Sequence, residues 1–410
     1  MGGGMNANTP ELAASFDIEK LTREFYENPY PTYRALRQHA PVKRMPNGSY
    51  FLTRYDDLLA AYKNTEIFNS DKKKEFAPKY GASRLYEHHT TSLVFNDPPA
   101  HTRVRRLIMG ALSPRAIAGM EADLIALVEG LLDALAEKGE VDLIGDYAAA
   151  IPVEVIGNLL DVPRDERRPL RGWSLAILGA LEPVIDKETF ARGNSAVEEF
   201  LDYLRGLVAR RRARPGNPER DVLTRLIQGE DNGERLTEKE LLHNCIFLLN
   251  AGHETTTNLI GNGLVALSEH RGEKTRLIEN PHLIKTAIEE ILRFESSNQL
   301  GNRMTARQVE LGGVSLPPGT SVTLCIGAAN RDEKHFPDPE KFDIARQPNR
   351  HLAFGSGAHQ CAGMALARLE GAIAISRFLG RFPGYALKGA PVRGGRARFR
   401  GFLSVPCTIG

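Results

Sequence analysis

The sequence predicts a mainly α-helical fold with a minor β region, and three observations carry that expectation. Apolar residues recur at helical spacing from Thr237 to about Leu267. A second helical region extends from Ser113-Pro114 to Pro215. Strand-like runs are short and confined to two places, Val42 to Arg54 and Val309 to Leu324.

Taken in order, Val42 to Met45 and Tyr50 to Arg54 flank Pro46-Asn47-Gly48, and the Asn-Gly step predicts a small hairpin. Pro114 sits just inside a helix start, and Leu124, Leu127, Val128, Leu131, Leu132 and Leu135 form an apolar stripe beyond it. Thr237-Glu238-Lys239-Glu240 reads as a capping box, opening a helix of roughly 30 residues or about 45 Å at 1.5 Å per residue, long enough to cross the whole domain. Asn280-Pro281 is expected to open the helix carrying Glu290 and Arg293. Val309 to Leu316 and Thr320 to Leu324 flank a Pro317-Pro318-Gly319 turn and predict short strands. Asn330 to Arg350, rich in Pro, Asp, Arg and Asn, should meander as a loop. No internal repeat is present.

Composition bounds the function. The 410 residues are 42% hydrophobic and 25% charged, enough for one large domain or two smaller ones. Residues 1–14 read as an N-terminal tail, with the glycines before Met5 an added leader, and 15–410 as a single domain. A net charge of +2 argues against non-specific nucleic-acid binding. Cysteines fall at 245, 325, 361 and 407 without CxxC spacing, so neither a disulfide framework nor a zinc knuckle is indicated, and a reducing compartment fits. With no basic-then-apolar leader and no run of about 18 apolar residues, a cytoplasmic protein without a membrane anchor is expected.

The most informative stretch is Phe354-Gly355-Ser356-Gly357-Ala358-His359-Gln360-Cys361-Ala362-Gly363. It sets one cysteine among glycines, ahead of an apolar helix expected to start near Ala362. A metal-bound thiolate needs backbone N–H groups nearby, and glycines let the chain curl close enough to supply them. The positive helix end would lower the thiol pKa further. An isolated cysteine beside a glycine turn would otherwise be read as structural. Here every fixed position of F-G-x-G-x-H-x-C-x-G is matched, and the loop resembles the haem-binding signature of the cytochrome P450 family.

That resemblance implies a triangular helical domain with the long helix over a haem b, iron protoporphyrin IX. Cys361 would be the axial iron ligand, with Phe354, Gly355, His359 and Gly363 around it. The family's activity is insertion of one oxygen atom from O2 into an organic substrate, with two electrons supplied. Ala251-Gly252-His253-Glu254-Thr255-Thr256 is similar to the family's A/G-G-x-D/E-T-T motif. Ala251 and Gly252 would leave room for dioxygen, while Glu254 and Thr255 pass protons toward it in a locally opened helix turn. Read alone, that pair is equally an ordinary polar patch, its threonine bonded back to the helix. His253 takes no role.

Haem propionates require cationic or imidazole donors. His101 and Arg105, one helical turn apart, resemble the family's H-x-x-x-R clamp, and Arg303 and His359 occupy its other positions. Glu290 and Arg293 match the structural E-x-x-R, though an i, i+3 pair on a surface is weak evidence by itself. Lys341 stands where the family often carries an arginine, which leaves the third member of that network open, with Arg346 and His351 as candidates.

The resemblance places the substrate pocket beneath Tyr80 to Val94, Trp173 to Arg192, the long helix, Gln299 to Asn302, and Gly401 to Leu403. Leu85, Leu93, Val94, Leu248, Leu300 and Phe402 would give it apolar walls, and Asn250, Gln299 and Asn302 hydrogen bonds, which fits a medium-sized apolar substrate bearing an oxygen function. No GxGxxG fingerprint occurs, so electrons must arrive from a ferredoxin or flavodoxin. Arg103, Arg106, Arg115 and Arg368 are the candidate docking patch. A peroxide-driven enzyme or isomerase on the same fold, or a haem or ligand carrier, would not need the Glu254-Thr255 pair.

Overall fold

The computed structural model describes residues 9–218, 221–231 and 234–409. The leading glycines lie outside that range. The tail expected to reach residue 14 is already helical over Thr9–Ser15, where Ala13 is buried.

The long helix forms as the capping box dictates. It spans Glu238–Glu269, with Thr237 Oγ1 accepting from the Glu240 backbone N–H and the Glu240 carboxylate accepting from Thr237 N–H. Its middle is buried on nearly all sides, because the helices Ala150–Leu159, Leu170–Gly179, Lys187–Ala213 and Met364–Arg381 all pack against it. Most of the described apolar core belongs to one cluster around this helix. In the helix Pro114–Ala136, Ser113 Oγ caps Ala116 N, and Leu124, Val128, Leu132 and Leu135 are buried while Leu127 and Leu131 are partly so.

The minor β region is assembled from distant pieces. Val42–Arg44 pairs antiparallel with Tyr50–Leu52 around a turn in which Gly48, at φ 84°, takes a left-handed conformation. Tyr50–Leu52 then pairs in parallel with Ser321–Cys325, which pairs antiparallel with Leu300–Thr305, and Phe68–Asn69 closes the other edge. Val309–Leu311 and Val314–Leu316 instead form their own hairpin across Gly312-Gly313. The Pro317-Pro318-Gly319 turn therefore separates strands of different sheets rather than joining a pair.

Two boundaries differ from expectation. Asn280 does not cap the helix after it. Its Nδ2 donates to Arg276 O of the preceding helix, and a 3-10 turn at Pro281–Leu283 leads into Ile284–Phe294. The long helix remains α-helical through Ala251–Thr255, with no opened turn, because the Thr255 hydroxyl joins the Ala251 carbonyl without displacing the ladder.

Candidate active site

Below the long helix lies a cavity of about 350 Å³. Cys361 forms part of its wall, presented by a loop whose shape depends on two glycines. Gly355 and Gly357 have φ of 64° and 70°. A Cβ on Gly357 would lie 2.4 Å from the Tyr62 carbonyl oxygen, so only glycine fits there. Cys361 N–H donates to Phe354 O at 2.9 Å, which closes the loop. The helix behind it begins at Met364, two residues later than expected, with Gly363 as its N-cap. Burial raises the Cys361 thiol pKa; a Gly363 backbone hydrogen bond and the Arg105 and Arg368 guanidinium groups pull it back down.

Cationic and imidazole side chains gather beside that sulfur. His101, Arg105, Arg303 and His359 all line the cavity. The His101 and His359 rings pack 4.0 Å apart between centroids. His359 Nε2 lies 3.2 Å from Ser70 Oγ and 3.4 Å from Asp97 Oδ1, which fixes its ring. Arg105 Nη2 donates to Gln360 O at 2.6 Å, tying its helix to the cysteine loop. Both ring nitrogens of His101 and Nε of Arg303 are buried with no partner. Unmet buried donors are costly, so a cavity that keeps three of them is made for an occupant with acceptor oxygens. The residues present fit a haem with its two propionates. Burial holds His101 neutral, its pKa lowered to about 4.

On the opposite wall, Ala251, Gly252 and Thr255 face the same cavity. The Thr255 hydroxyl donates to Ala251 O at 2.6 Å, which leaves its lone pairs for the cavity side. Glu254 is not on the wall. Its Oε1 is 2.5 Å from Arg396 Nη1, and Oε2 is buried without a partner. Burial raises its pKa to about 7, against the opposing pull of Arg396. Arg396 Nη2 also donates to Leu175 O, so one guanidinium spans the acid and the helix Leu170–Gly179. His253 is buried, outside the cavity lining, and both ring nitrogens lack partners.

Glu290 and Arg293 are fully buried rather than a surface pair. Their forks meet through two contacts of 2.8 Å, and Arg293 donates further to Asn330 O, Pro339 O and Lys341 O. Arg346 is the third member, its Nε 3.3 Å from Glu290 Oε1. Lys341 contributes only its carbonyl, and His351 turns to Glu289 at 3.1 Å. This network pins the meander that feeds the cysteine loop.

Several expected pocket residues lie elsewhere. Leu93, Val94, Leu248, Asn250, Leu300 and Asn302 line the cavity. Leu85 does not; it is buried where the helices carrying Ala180 and Gly193 meet. Gln299 turns inward, its Nε2 donating to Ser296 O at 2.7 Å and its amide packed on Gly327. Phe402 sits under Arg393, and Phe399 takes the place on the wall. Asn302 is already engaged, accepting from Arg398 and donating to Thr323. The expected docking patch is also reduced, because Arg103 pairs with Glu240 and Arg368 forks onto Glu289 at 2.7 and 2.8 Å. Sequence reasoning passed over His88, His89, Arg398 and Glu370 on the cavity wall. Glu370 is buried, its Oε2 has no partner, and burial lifts its pKa to about 8.

A thiol on a glycine-shaped loop, facing a long helix across a cavity ringed with unmet donors, is the architecture of a haem-thiolate protein. Residues 176–387 match the family model described as Cytochrome P450. The chain is 35% identical to the biotin biosynthesis cytochrome P450 of Bacillus subtilis (88% of this chain, 90% of the relative). It is 38% identical to vitamin D(3) 25-hydroxylase of Pseudonocardia autotrophica, covering 88% of each. The solved structure of P450BioI in complex with hexadec-9Z-enoic acid ligated acyl carrier protein superposes with a TM-score of 0.89 at 34% identity, over 94% of this chain and 100% of that one. CYP109E1 from Bacillus megaterium, in complex with testosterone, gives 0.87 at 30% identity over 95% and 100%. The chain belongs to the cytochrome P450 family of haem-thiolate monooxygenases. Among the described residues no helix is long and apolar enough to cross a membrane.

Proposed function

We propose that residues 15–410 act as one cytoplasmic monooxygenase domain with a b-type haem, taking electrons from a separate ferredoxin or flavodoxin and hydroxylating or epoxidising a medium-sized, largely apolar substrate. The observation that carries this is the position of Cys361 on the same cavity wall system as Thr255 and the unmet donors of His101 and Arg303. When bound, the haem supplies dioxygen activation, its thiolate favouring O–O cleavage.

The chain's own residues do the rest. Cys361 is the iron ligand, screened by the Gly363 backbone and by Arg105 and Arg368. His101, Arg105, Arg303 and His359 hold the propionates. Thr255, with its hydrogen spent on Ala251 O, accepts a hydrogen bond from water in the cavity and fixes that water in place. Glu254 carries the proton on Oε2, and a rotation of its side chain past Gly252 brings it to the wall. Leucine and isoleucine walls exclude bulk water and hold the substrate by its apolar surface. Exposed Arg106 and Arg115 are the remaining candidates for docking an acidic redox partner, and raising salt should slow reduction. Free cysteines at 245, 325 and 407 fit a reducing compartment.

The test is the absorption spectrum of the reduced, carbon-monoxide-bound protein beside that of Cys361→His. A strongly red-shifted Soret band, lost in the variant, is expected. A spectrum indifferent to the substitution, or a purified protein without haem affinity, would overturn the reading.

A further inference from the structure

One corner of the cavity is used by neither the propionate clamp nor the acid-alcohol pair. His88 and His89, near the end of the helix Arg84–Thr91, and Asn250 on the long helix all line it and are buried. His89 Nε2 and Asn250 Oδ1 have no hydrogen-bond partner. His88 is partly engaged, its Nδ1 lying 3.4 Å from a Ser92 hydroxyl that donates to His88 O. The His89 ring is held by aromatic neighbours, with centroids 5.7 Å from Phe76, 5.4 Å from Tyr80 and 5.8 Å from Phe95. It is a fixed polar group in an otherwise apolar wall. Buried polar atoms are normally satisfied, so two unmet ones on a ligand-sized cavity mark where a ligand meets the protein.

The surroundings select the kind of atom. Burial first, then the charges of Lys79, Arg398 and His243, hold His89 neutral. A neutral imidazole offers one N–H, and the positive potential of Lys79 and Arg398 favours an acceptor oxygen opposite it. Those cations are not available to neutralise an anion. Lys79 Nζ donates to Glu182 O, and Arg398 is committed to Leu181 O, Leu300 O and the Asn302 side chain. Glu75 and Glu182 balance Arg398 from the far side.

We propose that His89 and Asn250 form a carbonyl-recognition subsite, so that the substrate is an apolar molecule bearing a neutral carbonyl oxygen that accepts from both side chains. This rests on the cavity being the substrate pocket, as argued above, and it sets which end of the substrate is anchored.

The test is equilibrium dialysis of the haem-loaded protein with cyclodecanone, with methylenecyclodecane, which has nearly the same shape without the oxygen, and with decanoate. His89→Phe keeps the aromatic packing and Asn250→Leu keeps the volume. Each is expected to weaken cyclodecanone by about fivefold to tenfold, the scale of one lost buried hydrogen bond, and to leave methylenecyclodecane within about twofold. Parallel weakening of both ligands would assign the two residues to packing, and no change would remove them from the pocket; either result overturns the proposal. Tighter binding of decanoate than of the ketone would overturn it in favour of an anion site. Haem content reports whether each variant is folded, and if one variant fails to load, the other decides. Dialysis needs no turnover, so a normal ketone preference with no thiolate spectrum would sink the monooxygenase reading and leave this one standing.

Discussion

Arg396 Nη1 lies 2.5 Å from Glu254 Oε1, so the acid of the long helix is held by a cation from the C-terminal segment rather than facing the cavity. Burial and this ion pair act in opposite directions on its carboxyl, and burial prevails, leaving a pKa of about 7.

The fraction of protonated Glu254 therefore falls as pH rises through about 7, and turnover should decline over the same range. Glu254→Gln is expected to lower kcat by roughly 10²-fold and abolish that limb. Arg396→Leu removes the group that favours the ionised form, so the limb should move to higher pH. Steady-state pH profiles of the three proteins check this. A limb unchanged in Glu254→Gln would assign it to another group.

The Glu290–Arg293 pair is fully buried and its partners are spread over the meander. Glu290→Ala leaves the guanidinium buried without its counter-charge and should cost about 3–5 kcal/mol. Denaturant midpoints measure it. The same substitution in a solvent-exposed pair such as Arg381–Asp133 should cost no more than about 1 kcal/mol.

Gly357→Ala drives a methyl group into the Tyr62 carbonyl at a left-handed backbone position. The cysteine loop would have to shift, with a loss of at least about 1–3 kcal/mol. We expect a lowered haem-to-protein ratio after purification and faster haem transfer to a scavenging apoprotein. Gly363→Ala has no neighbour within 4 Å to strike and serves as the milder comparison.

Glu370 should stay protonated in the folded protein up to a pH of about 8, well above the unfolded carboxyl. Between roughly pH 4.5 and 8 the folded state binds a proton that the unfolded state has released, so this group's contribution to stability falls as pH rises across that window. Glu370→Gln abolishes the dependence. The variant should match the parent near pH 4.5 and be the more stable of the two at pH 9, by an amount on the order of several kcal/mol. Unfolding curves at both pH values decide it.

Local chemistry was readable from the sequence wherever it depended on spacing. The capping box at Thr237, the Asn47-Gly48 hairpin and the cysteine loop all depend on neighbours in the chain, and the structure forms each of them. What spacing cannot give is the rotation of a side chain about its element or its distant partner. Gln299 and Leu300 are adjacent, yet only Leu300 reaches the cavity. The wall contributed by the C-terminal segment falls at Phe399 rather than Phe402, because Asn298 bridges to Phe399 and Gly401 is pressed onto Asn258 of the long helix. Arg103 and Arg368 read as free cations until Glu240 and Glu289 are brought beside them from distant parts of the chain. His89 carried no signal, since a histidine pair in a short polar helix reads as surface until aromatic rings close around it.

The parallel pairing of Tyr50–Leu52 with Ser321–Cys325 joins segments about 270 residues apart. During synthesis the early hairpin emerges long before the strand that covers its open edge. At bacterial elongation rates of about 5–20 residues per second that edge waits for tens of seconds or less. Its protection in that interval falls to the hairpin's own shortness and to the charged Lys43 and Arg44 on its partner strand, features that discourage association between nascent chains. The distance along the chain thus makes the order of translation part of how this sheet is built.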